Sequence, residues 1–439
     1  MSALIALSAA AADPKAPDPI AAEAKRRSDA LVQDGFNMTH GWTFQAAGEG
    51  APLLFEFLLP KASDEHRLSF WMETQGGEAS VKLGGPQGLF LFAWTGRSGE
   101  VAVARALPAG KYVLEIDASK STGGRALFGV KGFLVHRCEM NASRTLERPA
   151  APGRGFHWPY FLFVPPEARA GHLLVAPNNT GFETDDLEVI GASSSCEVRR
   201  QAPLADKLGT PLLAPLFPRP PAAVDGEYLY LHALTRAALR TDVPAFRRVD
   251  LQLLAMVEDA RAYLAAKGIA VDKRLLLRGF SASGSFVNRF AVLHPENALA
   301  VACGSPGGWP IAPSDREGAD ALPYPVGTGD LAALTGKPVD AEALKRVAWF
   351  FFLGDKDAND AVVFRDSFSK ADEELVFRLF GKAPVSRWKK AETLYAKAGL
   401  DVRFVLYPGA GHEVTREMDA DVAKFFEARL AGGPPPGRN

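Results

Sequence analysis

The chain of 439 residues has only three cysteines, Cys138, Cys196 and Cys303. That is too few for a disulfide framework, and none has the paired spacing of a zinc site. One bridge, Cys138 to Cys196, is compatible with the count. An excess of either charge is missing too: 50 Lys and Arg stand against 51 Asp and Glu, a net charge of −1. The basic surplus that nucleic-acid binding requires is therefore absent. No apolar run is long enough to span a bilayer, and no internal repeat occurs at solenoid or propeller periods. What is present is an ordinary globular composition in a chain long enough for two domains.

The opening "MSALIALSAAAADPKAP" has an apolar stretch over residues 3–12 that ends in small residues, like the core of a secretion signal, although no Lys or Arg precedes it. Residues 1–38 are expected to be signal-like or disordered. A genuine signal implies a secreted or periplasmic protein, and otherwise a cytoplasmic one. Residues 39–148 read as short strands separated by Gly, Ser and Asp turns: "APLLFEFLLP", "HRLSFWMET", "GLFLFAW", "VAVARALPAGKYVLEID" and "ALFGVKGFLV". Their spacing suggests a small antiparallel β-sandwich, whose Phe70, Trp71 and Trp94 are read as core. The piece "LPAGKYVLEID" resembles the closing strands of bacterial pre-peptidase C-terminal domains, jelly-roll accessories of secreted hydrolases. The segment "ERPAAPGRGFHWP" reads as a linker. Over residues 149–432 strands alternate with helices, which indicates an α/β domain with a mostly parallel sheet. Expected strands are 160–164, 173–176, 212–216, 275–277, 299–303, 347–353 and 402–406, and 433–439 form a tail.

Within this second region, "LLLRGFSASGSFVNRF" (275–290) places three serines just after an apolar run and before a helical stripe of Phe286, Val287, Phe290 and Leu293. A nucleophilic serine is exposed by such a strand–turn–helix elbow. Two registers fit, centred on Ser281 or on Ser283. Ser281 is preferred, because Gly279 then stands directly after the strand, where unusual torsions cost least. Ser283 and Gly284 then open the helix, where small side chains allow it to approach the sheet. A serine-rich turn with local hydrogen bonds is the bland alternative.

A nucleophilic serine needs a base, an acid that orients the base, and donors for the oxyanion. "DVRFVLYPGAGHEVT" supplies His412 on a Gly-rich loop after a late strand, and "VAWFFFLGDKDANDAV" supplies Asp357, with Asp355 as second choice. The oxyanion donors are expected to be the Ala282 amide and one from "APNNTGFETDD", either Asn179 or Thr180. Asp355, Asp357, Asn359 and Asp366 also fall at four positions of a calcium loop. However, Asp360 stands where that loop needs glycine and a strand precedes it, so no metal is assigned.

With "GFSASG", "GDKD" and "GAGHE" in this order, residues 155–430 resemble α/β-hydrolases of the secreted esterase type, similar to poly(3-hydroxybutyrate) depolymerases and feruloyl esterases. There the elbow reads G-x-S-A-G-G and opens a helix with an Asn-Arg pair, matched here by Asn288 and Arg289. The resemblance implies a doubly wound α/β-hydrolase sheet behind the sandwich. It implies cleavage of a carboxylic ester, small or polymeric, by Ser281, His412 and Asp357 through an acyl-enzyme, without cofactor, nucleic acid or membrane span. Phe182, Phe280, Trp309 and Trp158 are the expected substrate contacts, and residues 311–345 an expected lid. An amidase or peptidase with the same triad, or a non-catalytic binding protein of this fold, are the alternatives.

Overall fold

The computed structural model describes residues 19–33, 38–45, 52–59, 63–131, 135–169, 171–179, 183–220, 223–224, 227–364 and 366–432. The signal-like stretch 3–12 and the tail 433–439 lie outside these residues. The chain divides into two compact units, Met1–Arg137 and Cys138–Asn439.

The first unit opens with helix α1 (Pro19–Gln33), followed by β1 (Met38–Gln45), β2 (Leu53–Leu59), β3 (Ser63–Thr74), β4 (Ala79–Gly84), β5 (Phe90–Gly96), β6 (Ser98–Leu107), β7 (Gly110–Asp117), β8 (Gly123–Lys131) and β9 (Val135–His136). They form two antiparallel sheets, ordered β1-β8-β3-β6 and β5-β4-β7-β2-β9. Alternate residues point inward, as a pleat requires. Phe55, Phe57 and Leu59 of β2, Leu68, Phe70 and Met72 of β3, and Ala126, Phe128 and Val130 of β8 share one core. Phe57 and Phe128 meet across it at 5.6 Å between ring centres. This is the expected sandwich, with additional strands at β1 and β4.

On the other face of the first sheet, α1 buries Ile20 against Trp71 and Leu127. Arg27 lies over the Trp71 ring at 5.3 Å and pairs with Glu100. Residues 19–33 are therefore an ordered helix, which corrects the reading of all of 1–38 as signal-like or disordered. The reason is an amphipathic stripe that finds an apolar patch to cover.

The second unit contains β10 (Thr145–Arg148), β11 (Tyr160–Phe163), β12 (Leu174–Val175), α2 (Leu187–Leu208), β13 (Leu212–Pro215), the small hairpin β14 (Ala223–Val224) and β15 (Glu227–Tyr228), α3 (Arg236–Arg240), α4 (Val249–Ala266), β16 (Leu275–Phe280), α5 (Ala282–Leu293), β17 (Ala298–Gly304), the hairpin β18 (Arg316–Glu317) and β19 (Asp320–Ala321), β20 (Ala348–Gly354) and β21 (Asp401–Tyr407). Eight strands make one sheet ordered β10-β11-β13-β12-β16-β17-β20-β21. The pairs β10/β11 and β11/β13 are antiparallel, and every later pair is parallel. Every residue of β11, β13 and β20 is buried, so both sheet faces are covered. All seven expected strands are present. The unit boundary lies upstream of residue 149 because residues 145–148, assigned from the sequence to the sandwich region, form the edge strand β10 of the larger sheet. Cys138 also belongs to this unit, joined by a disulfide to Cys196 of α2, while Cys303 is free and buried.

Part of the expected lid, residues 311–345, is anchored in the core. Ile311, Ala312, Leu322, Tyr324, Val326 and Leu331 are buried, and Tyr395 Oη donates to the Ile311 carbonyl at 3.0 Å.

Candidate active site

In a sheet of this kind the open ground lies beyond the carboxyl ends of the parallel strands, where turns leave the packed layer. Four such turns converge: those after β12, β16, β20 and β21.

Ser281 is the single residue between β16 and α5. Its backbone sits at φ 60°, ψ −123°, a region that is costly for any side chain bearing a Cβ. Two backbone bonds hold it there: Ser281 N–H donates to the Gly304 carbonyl at 2.9 Å, and Ser285 N–H donates to the Ser281 carbonyl at 3.0 Å. The sequence reading placed the unusual torsion at Gly279, but it falls on the serine itself. Gly279 is needed for close approach instead, since a Cβ there would strike the Ser283 carbonyl. Ser283 uses its hydroxyl to lock the elbow: Oγ donates to the Phe280 carbonyl at 2.9 Å and accepts from the Phe280 N–H at 3.0 Å.

Ser281 Oγ lies 3.0 Å from His412 Nε2. On the far side of the ring, His412 Nδ1 lies 2.9 and 3.1 Å from the two carboxylate oxygens of Asp357. An ionised carboxylate only accepts, so Nδ1 carries the proton and Nε2 presents its lone pair to the serine. Burial works to raise the Asp357 pKa. Hydrogen bonding from His412, together with the Asn359 backbone N–H, outweighs it, so the carboxyl is held below its ordinary value. The acid and base loops touch because Gly354 ends β20: a Cβ there would run into the Ala410 and Gly411 carbonyls. Asp355, the second choice, turns away and accepts the Gly409 N–H at 2.7 Å. Asp360 pairs with buried Arg387. Asp355 and Asp357 of the calcium-loop pattern thus go to separate partners.

Asn359 also reaches the base. Its backbone N–H donates to Asp357 Oδ1 at 2.9 Å, and its side-chain Nδ2 lies 2.8 Å from His412 Nε2. Sequence reasoning noted this residue only as a calcium-loop position. The available signal was its place two residues after the acid, where Asn side chains fold back on a turn.

The Ala282 N–H stands at the head of α5, where first-turn amides have no acceptor within the helix. Asn179 reaches the same helix end through its side chain, with Oδ1 accepting from the Ser283 N–H at 3.3 Å. Its neighbour Asn178 is buried and clamps Phe217, with Nδ2 donating to the Phe217 carbonyl at 2.8 Å. His232 supports the same clamp, its Nε2 2.7 Å from that carbonyl. Burial, aided by the charge of Arg219 and opposed by the Phe217 bond, pushes His232 down to about 4. Thr180 and Phe182 lie outside the described residues.

Of the other expected substrate contacts, Phe280 is at the site, its ring 4.8 Å from the His412 ring and half-buried. Trp158 and Trp309 are corrected. The Trp158 indole donates to the Ala245 carbonyl at 2.6 Å and stacks on Phe246. The Trp309 indole donates to the Val326 carbonyl at 2.9 Å and stacks on Phe380 at 4.0 Å. Both rings are committed to the core. Tyr230 and Ala233, which the sequence reading missed, pack against Ala282. Buried Arg289 braces them by donating from Nη1 to the Ala233 carbonyl at 2.6 Å. Its partner Asn288 donates to Tyr395 Oη at 2.8 Å and accepts the Ile311 N–H at 2.9 Å, so the Asn-Arg pair positions loops around the elbow.

A parallel sheet with an elbow serine after β16, an acid after β20 and a histidine after β21 defines the α/β-hydrolase class of fold. No protein family's sequence profile matches the chain, and no curated protein matches it by sequence. Solved structures with a similar fold include the LpqC poly(3-hydroxybutyrate) depolymerase of Bordetella parapertussis, 20% identical with a TM-score of 0.40 over 64% of this chain and 86% of that one. Poly(aspartic acid) hydrolase-1 of Sphingomonas sp. KT-1 is 16% identical with a TM-score of 0.40 over 58% and 88%. An S-formylglutathione hydrolase of Agrobacterium tumefaciens is 12% identical with a TM-score of 0.36 over 65% and 94%.

Proposed function

We propose that the chain is a serine hydrolase that cleaves carboxylic esters through an acyl-enzyme. The observation that carries this reading is the unbroken line from Asp357 through His412 to Ser281, with 2.9 Å and 3.0 Å steps, ending on a serine held at φ 60°. Ser281 Oγ attacks the ester carbonyl carbon while its proton passes to His412 Nε2. Asp357 holds the Nδ1–H and stabilises the charged ring. The carbonyl oxygen, now negative, is received by the Ala282 N–H and a second amide from the turn carrying Asn179 and Thr180. The intermediate collapses by expelling the alcohol, which takes the Nε2 proton. Water then repeats the sequence on the acyl-serine and releases the acid.

We further propose export from the cytoplasm, a reading supported by the Cys138–Cys196 bridge, since such bonds persist in oxidising compartments. Among the described residues no helix is long and apolar enough to cross a membrane. The sandwich is read as an accessory module. The direct test is a fluorophosphonate probe combined with a panel of p-nitrophenyl esters of rising chain length, feruloyl esters and polyesters. Labelling that persists in Ser281→Ala, or disappears in Ser283→Ala with the fold intact, would sink the assignment.

A further inference from the structure

One lone pair at the candidate base faces two partners. With its proton on Nδ1 toward Asp357, the His412 ring has a single in-plane lone pair at Nε2. Ser281 Oγ is 3.0 Å from that nitrogen and Asn359 Nδ2 is 2.8 Å from it. Two donors cannot both align with one lone pair, so the amide competes with the serine hydroxyl in the resting site. Asn359 is also tethered: its own N–H is bound to Asp357 Oδ1 at 2.9 Å, which keeps its side chain beside the ring. It is half-buried, so an occupant of the site can reach it.

The proposed reaction needs that same space. The leaving-group oxygen must come within hydrogen-bond reach of Nε2 to take its proton as the carbon–oxygen bond breaks. The hydrolytic water must later stand there to give its proton up as its oxygen bonds the acyl carbon. An amide within 2.8 Å of Nε2 is necessarily a neighbour of that oxygen. We propose that Asn359 is a catalytic residue that holds the place of the leaving-group oxygen in the resting site, and binds that oxygen, and then the water, once substrate displaces it from Nε2. An amide suits this exchange because rotation offers either an N–H to a developing alkoxide or a carbonyl oxygen to a water proton. This inference rests on the serine-hydrolase reading above.

The test separates leaving groups by their need for a proton. A p-nitrophenolate departs unprotonated, whereas an alkyl alcohol does not. In Asn359→Ala, the acylation burst with p-nitrophenyl acetate should stay within about threefold of the wild-type rate. For simple alkyl acetates kcat/KM should fall on the order of 10²-fold, the lower range of general acid–base contributions. Across a graded series of aryl and alkyl acetates, log kcat/KM should therefore fall more steeply with leaving-group pKa in the variant. Asn359→Ser, which keeps a short donor and acceptor, should lie between. Asn359→Leu keeps the amide's shape without its polarity and replaces the alanine variant if that one fails to fold. Equal losses on all esters, or none, would overturn the proposal. The two readings fail separately: if wild-type Ser281 takes no fluorophosphonate, the hydrolase assignment falls. If it is labelled and the slope does not change in the variant, only the role of Asn359 falls.

Discussion

In the sandwich, Phe55 and Phe57 point into the core while the alternating Leu54 and Glu56 stay outside it. In the larger unit, Phe350, Phe351 and Phe352 follow one another and all three are buried. The first pattern belongs to a sheet with one face against a partner sheet. The second belongs to a sheet packed on both faces. The difference bears on where chemistry is found. With both faces filled, the parallel sheet offers open ground only at its strand ends, and Ser281, Asp357, His412 and the turn carrying Asn179 all collect there. The sandwich ladder spends its inward side chains on its own core, and Trp71, its most prominent outer-face aromatic, is covered by α1.

If the chemistry belongs wholly to the second unit, the largest effect should come from its elbow. Ser281→Ala should reduce ester turnover on the order of 10⁶-fold, as in well-studied serine hydrolases, and abolish fluorophosphonate labelling with no change in circular dichroism. Next comes the acid: Asp357→Asn should lower kcat on the order of 10⁴-fold, whereas Asp355→Asn, which loosens only the Gly409 turn, should cost far less. The reverse ranking would break the assignment of the acid.

The boundary between the units supplies a third test. A chain starting just before Cys138 should hydrolyse small soluble esters at close to the full rate. One starting at Pro149 loses β10 and the Cys138–Cys196 bridge, which closes a separation of 58 residues, and should lose about 2–5 kcal/mol by urea titration. Failure of the longer chain to fold would show that the sandwich is structural.

The smallest effect is a pH dependence. Fully buried His232 is held down to about 4, against 6.5 for the free group. Between these values the unfolded chain binds a proton that the folded one refuses, so stability should fall as pH falls through that window, by up to about 3 kcal/mol. His232→Gln should flatten the melting temperature between pH 6.5 and pH 4. An unchanged slope would remove the group from the account.

Much of this was legible in the sequence because two strong periodicities, alternate in the sandwich and continuous in the parallel strands, decide the layers. The chain order of Ser281, Asp357 and His412 then singles out three turns. What was not legible depends on packing partners far away in the chain. The indoles of Trp158 and Trp309 look like pocket residues by type, and only Ala245, Phe246, Val326 and Phe380 reveal them as core. Strand β10 is four residues of unremarkable composition, defined by its antiparallel pairing with β11. Asn359 could not be distinguished from any turn asparagine until the loop after β21 brought His412 to it.

The torsion at Ser281 has a practical consequence. At φ 60°, ψ −123° the residue that relaxes the elbow is glycine, which lacks the Cβ that makes this conformation costly. Ser281→Gly should melt higher than both the wild type and Ser281→Ala. A library screened for thermal endurance alone would therefore drift toward a substitution that ends turnover, so any search for a hardier form of this protein must assay hydrolysis in the same round.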